Sequence, residues 1–83
     1  MESQVGSVTH FYNKIGVAIV KLSDSLLVGD TIHISGHTTD LTQEVGSLQI
    51  EHQNIEKADK GQEVGIKVTD EVRVKDLVFK VTD

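Results

Sequence analysis

The segment Val28-Gly29-Asp30-Thr31-Ile32-His33-Ile34-Ser35 constrains this chain most. A Gly-Asp turn feeds a strict alternation, with Ile32 and Ile34 on one face and His33 and Ser35 on the other. That is the period of a half-buried β-strand. A second block, Ala58 to Val68, repeats the arrangement: Asp59-Lys60-Gly61-Gln62 makes a tight turn, then Val64, Ile66 and Val68 alternate with Gly65, Lys67 and Thr69. With 83 residues around these blocks, the chain has the length of one small domain over residues 1–83, near the lower limit for an unaided core.

The remaining segments extend the β pattern. Val5 to Tyr12 holds apolar residues on both parities, so its inward side is not assigned by period alone. Asn13, Lys14 and Gly16 turn the chain. Ile15 to Leu22 is a near-continuous apolar run, which fits a strand covered on both faces or a buried helix; Val17, Ile19 and Val20 favour the strand. From Thr38 to Ile50 the parity changes at Gly46-Ser47, as a β-bulge would produce. Glu51 to Lys60 is expected to be a loop with at most one helical turn. The last strand is expected to place Leu77, Phe79 and Val81 inward and Lys80 in water. Aromatics are 4% of the chain, so the core must be aliphatic. Short, evenly spaced strands of this kind build an all-β barrel or sandwich. A closed barrel suits a chain without Cys, since closure removes free edges where no disulfide can staple them.

Charge narrows the partners. The net charge is -5, which argues against non-specific binding to bulk nucleic acid. The excess negative charge falls mainly in residues 1–55, where only Lys14 and Lys21 oppose the acids; acids and bases balance over residues 56–82. No apolar run reaches the ~20 residues of a membrane span. The start of the chain, Met1-Glu2-Ser3-Gln4, has no secretory character, and Cys is absent, so the expected compartment is the cytoplasm.

Several motifs together resemble a known family. Gly6-x-Val8, then Val28-Gly29-Asp30-x-Ile32-x-Ile34, then Val45-Gly46-Ser47-Leu48-Gln49-Ile50, then Ala58-x-x-Gly61-x-x-Val64-Gly65-Ile66 resemble the second domain of translational GTPases such as elongation factor Tu and initiation factor two. They also resemble small free-standing translation elongation factor-like proteins, and the small barrel appended to collagenase-like peptidase family enzymes, some of which modify tRNA. The resemblance covers roughly residues 5 to 81 and implies a closed Greek-key barrel of about six strands, of the translation-factor domain 2 type. In elongation factor Tu a Glu of this domain contacts the terminal adenosine of tRNA. Gln49 stands at the matching place, able to hydrogen-bond but uncharged. No Gly-x4-Gly-Lys-Ser/Thr loop is present, so GTP binding by that mechanism is not expected.

Other candidate chemistry is sparse. Tyr12, if outward, could stack a base, and Arg73 could pair with a phosphate or carboxylate. Three histidines, His10, His33 and His37, would form a metal site only if the strand of His10 neighbours that of His33; His52 is the fourth histidine. Outward-facing polar histidines are the plainer account. Serines lack a recognisable base and acid, and no cofactor motif is present. The expectation is a non-catalytic binding module without a cofactor. It would contact tRNA or a ribosome-associated component through Gln49, Tyr12 and Arg73, or alternatively dock on an enzyme as a protein-interaction subunit without RNA contact.

Overall fold

The computed structural model describes residues 1–82. It is all-β, with ten strands: β1 (Glu2–Tyr12), β2 (Val17–Leu22), β3 (Leu26–Leu27), β4 (Thr31–Ser35), β5 (Asp40–Glu44), β6 (Leu48–Ile50), β7 (Gln53–Ile55), β8 (Lys57–Ala58), β9 (Glu63–Lys67) and β10 (Leu77–Val81). Eight of them form one antiparallel sheet in the order β5-β4-β10-β1-β2-β9-β6-β7, and β3 pairs with β8. The final strand thus inserts between β1 and β4, and β9 returns to lie beside β2.

The main-chain ladder stops at β5 and β7 and does not run round the expected closed barrel of about six strands. Other bonds draw its ends in. On β5, Gln43 donates from Nε2 to the Lys67 carbonyl at 2.9 Å and accepts from the Thr69 amide at 2.8 Å. These atoms lie just past the part of β9 that β6 covers, where β6 pairs only with Gly65 and Ile66. The Val45 amide donates to Asp30 O at 2.8 Å and its carbonyl accepts from Gly29 N at 2.9 Å, which fixes the end of β5 to the start of β4.

The core is aliphatic, as the low aromatic content requires. Ile32, Ile34, Leu48, Ile66, Val20 and Val64 are all but sealed from solvent, while Phe11 and Phe79 are only half-buried. The mixed parity of the first strand has a structural cause: β1 changes register between Gln4 and Gly6 against β10, and between Val8 and His10 against β2. These irregularities let Val5 and Val8, which lie on opposite parities, both enter the core.

Three local expectations are corrected. On β10 the inward residue is Val78, while Leu77, Phe79 and Val81 lie on the other parity. Lys80 shares the parity of Val78 but lies near the strand end, where its ammonium pairs with Asp30 at 3.4 Å. The parity change at Gly46-Ser47 is a break between β5 and β6, which do not pair with each other, rather than a bulge. Residues 51 to 60 form the turn and second strand of a hairpin, β6–β7, followed by β8. That hairpin closes through two residues, Glu51 and His52, with φ of 51° and 65°. Two positive φ values in a two-residue connection mark a type I′ turn, whose twist matches the strands. Asn-Gly is the usual sequence there, so Glu-His carried no turn signal.

Candidate functional site

The outer face of β2 runs into a groove. Its floor is Val17, Ile19 and Gly65, and its walls are Tyr12 and Ile15 on one side and Gln49, Glu51, His52 and Glu63 on the other. Its volume is about 400 Å³. Four pieces of chain build it: the end of β1 with its turn, β2, the start of β9, and the β6–β7 hairpin.

Each wall has a local cause. The β1–β2 turn is closed by bonds from Ile15 N and Gly16 N to Tyr12 O, with Gly16 at φ 66°. The turn pushes Ile15 outward, where it is 61% exposed, and Tyr12 is 51% exposed. The Tyr12 ring stacks on the His10 imidazole with centroids 6.2 Å apart, so both rings stand on the outer face of β1. Gly65 keeps the floor low: a Cβ there would lie 3.3 Å from Val17 Cγ1 and 3.6 Å from Ile19 Cδ1. The type I′ turn holds Glu51 and His52 at the rim. Gln49 is oriented by its Nε2, which donates to Asn54 Oδ1 across the hairpin at 2.9 Å. Glu63 Oε2 lies 3.2 Å from the Thr9 hydroxyl, which also lies 3.2 Å from the Ile19 carbonyl.

The electrostatics are one-sided. Glu51 and Glu63 line the groove, and no Lys or Arg does. Among the described residues neither carboxylate is in an ion pair; Lys21 stands opposite Glu63 in register without reaching it. An apolar floor with an aromatic wall and two carboxylates can hold a partly apolar, cationic group. It does not favour a phosphate chain.

The structure brings together Tyr12 and Gln49 and leaves Arg73 apart. Arg73 is exposed and lines a separate depression with Thr38, Asp40, Leu41, Asp70 and Glu71. Its amide donates to Asp76 Oδ2 at 2.8 Å, a turn bond rather than a functional one. Residues missed from sequence are Ile15, Val17, Ile19, Glu51, Glu63 and Gly65. One signal was present: an apolar run on both parities at residues 15 to 22 means that the outer face of β2 is apolar too.

The three histidines do not form a metal site. Strand β10 separates β1 from β4, so His10 and His33 are not on neighbouring strands, and His37 lies in the turn after β4. Among the described residues no group of three His, Asp or Glu side chains is placed to hold a metal ion. His33 sits instead between two carboxylates, with Nδ1 2.9 Å from Glu2 Oε1 and Nε2 2.6 Å from Asp40 Oδ1. The bond to Glu2, and then that to Asp40, raises its pKa above the ordinary imidazole value. The set links β1, β4 and β5 over Phe79, whose ring centroid is 6.3 Å from that of His33. No helix is long and apolar enough to cross a membrane among the described residues.

Comparison with known proteins places the chain beside parts of larger molecules. It is 44% identical over 77 residues to an uncharacterised protease of Methanocaldococcus jannaschii, covering 92% of this chain and 19% of that protein. It is 36% identical over 81 residues to a collagenase of Porphyromonas gingivalis, covering 95% of this chain and 22% of the collagenase. The chain therefore spans about a fifth of the length of the curated relatives it matches. In fold it is similar to the C-terminal domain of a Geobacillus thermoleovorans protein described as a U32 peptidase, with a TM-score of 0.89 and 21% identity, over 95% of this chain and 92% of that one. No protein-family model matches. These relatives support the collagenase-like side of the resemblance drawn from the motifs and not its translation-factor side.

Proposed function

We propose that this chain is a non-catalytic protein-interaction module that docks on the body of a collagenase-like, U32-type enzyme and uses the Tyr12–Gln49 groove to do so. The observation that carries this reading is the match to a fifth of larger proteins described as a protease and a collagenase, across nearly all of this chain. A module of this kind keeps an apolar face for its neighbour. Exposed Ile15 and Tyr12 beside Val17 and Ile19 supply one.

Hydrogen–deuterium exchange tests it. In the intact M. jannaschii relative, the segment aligned with residues 12–19 should exchange more slowly than the same segment of this chain alone. Equal exchange in the two would refute docking through the groove.

A second reading, contact with the end of a tRNA, is favoured by one observation: Tyr12 and Gln49 share a groove that could receive a base. Glu51 and Glu63 weigh against the phosphates that would accompany it. Amide shifts in the groove on adding tRNA, persisting at moderate salt, would support this second reading over docking.

A further inference from the structure

We propose that the groove receives an arginine side chain of the docking partner. This rests on the docking reading above and names what the partner presents.

The chemistry of the groove selects its occupant. Its floor of Val17, Ile19 and Gly65 accepts a methylene stem. Its wall carries an aromatic ring, Tyr12, which is half-exposed and backed by His10. A flat cation can lie on such a ring. Its rim carries Glu51 and Glu63, neither of them in an ion pair among the described residues. A carboxylate takes a guanidinium through two parallel hydrogen bonds. Stem, plane and charge occur together in arginine. Lysine has the stem and the charge, but its ammonium is a compact, strongly hydrated point with no plane to stack.

Other occupants fit worse. A wholly apolar partner would strip water from two carboxylates and return no counter-charge, which is costly. An acidic or phosphate-bearing partner would meet like charge. Lys21, opposite Glu63 on β2, does not neutralise it at ion-pair distance. Charge complementarity therefore points to a cationic partner, and the exposed ring of Tyr12 points to a planar one.

The test is an NMR titration of the labelled chain with two capped pentapeptides, Ala-Leu-Arg-Leu-Ala and the same peptide with citrulline for arginine. Citrulline keeps the stem and the plane and removes the charge. The arginine peptide should give saturable shifts at the amides of Tyr12, Gln49 and Gly65, with affinity at least tenfold above that of the citrulline peptide. The Glu51→Gln/Glu63→Gln variant, changed only at exposed positions, should bind the arginine peptide no better than the citrulline one. Equal binding of the two peptides, absence of shifts at these amides up to millimolar peptide, or undiminished binding by the variant would overturn the proposal. Slowed exchange in the intact relative together with a failed peptide titration would remove the arginine and leave docking standing. Equal exchange together with a successful peptide titration would remove docking on the enzyme body through this groove, and with it the docking partner as the source of the arginine. It would leave only a groove selective for arginine.

Discussion

Replacing Gly6 by alanine tests whether the close passage of β1 over β2 shapes the fold. Gly6 is buried and lies opposite Leu22 on β2 and Val78 on β10. A Cβ there would stand 2.6 Å from the Lys21 carbonyl oxygen and 2.8 Å from Val20 Cγ1. The first contact is with backbone, so no side-chain rotation relieves it. Strand β2 must shift by roughly half an ångström, and it carries Val20 and Leu22, both in the core. Forced overpacking of this kind costs about 1–3 kcal/mol. In a domain this small each kcal/mol lowers Tm by about 4–8 °C. With a urea dependence of about 1 kcal/mol/M, the midpoint should fall by about 1–3 M. Gly46 is the matched control, because a Cβ there meets nothing within 4 Å and its φ is not positive. Gly46→Ala should leave the midpoint unchanged or raise stability by about 0.4–1 kcal/mol, through a less flexible unfolded chain. Urea unfolding followed by circular dichroism reads both variants. A Gly6→Ala midpoint at or above that of the unmodified chain, or equal shifts in the two variants, would refute the close-passage argument.

Three further outcomes are expected. Val78→Ala should cost about 2 kcal/mol, from two buried methyls at ~0.8 kcal/mol each plus the cavity, while Leu77→Ala should cost less than half as much; urea midpoints that rank the other way would reject the inward parity assigned to β10. Gln43→Ala should speed hydrogen exchange at the Thr69 amide, which loses its acceptor, and lower stability by about 1 kcal/mol; unchanged protection at Thr69 would show that Gln43 does not hold β5 to the end of β9. His33 has a folded pKa raised by Glu2 and Asp40, so its stabilising contribution is full below the ordinary imidazole value and is lost as pH rises through the raised one. Unfolding free energy should accordingly fall from pH 6 to above pH 8 more in the unmodified chain than in His33→Gln, and parallel pH profiles would exclude His33 as the source.

Period-2 patterning made much of the fold legible. The alternation at Ile32 and Ile34 and at Val64, Ile66 and Val68 specifies strands with one buried face, because each one-residue step reverses the side. The same rule misassigned β10. Leu77, Phe79 and Val81 outnumber Val78 in apolar side chains, yet the pairing of Val78 with Ile34 and Gly6 turns that residue inward. Register is a property of neighbouring strands and is not contained in one strand's composition. Similarly, Glu51-His52 gives no turn signal, and only the hairpin's twist demands positive φ there.

The candidate site divides the same way. Tyr12 and Gln49 are visible in the sequence as an aromatic on a strand and as a place in the Leu48-Gln49-Ile50 motif. That they share one groove, and that Arg73 does not, follows from the strand order. The order β1-β2-β9-β6 carries the β6–β7 hairpin across to the β1–β2 turn, and it places β10 between His10 and His33. Alternation and side-chain chemistry act within a few residues, and they were enough to mark an all-β chain with an aliphatic core. Tertiary structure alone decided which strands are neighbours, and so which distant side chains meet, because non-local pairing depends on the packing of the whole sheet.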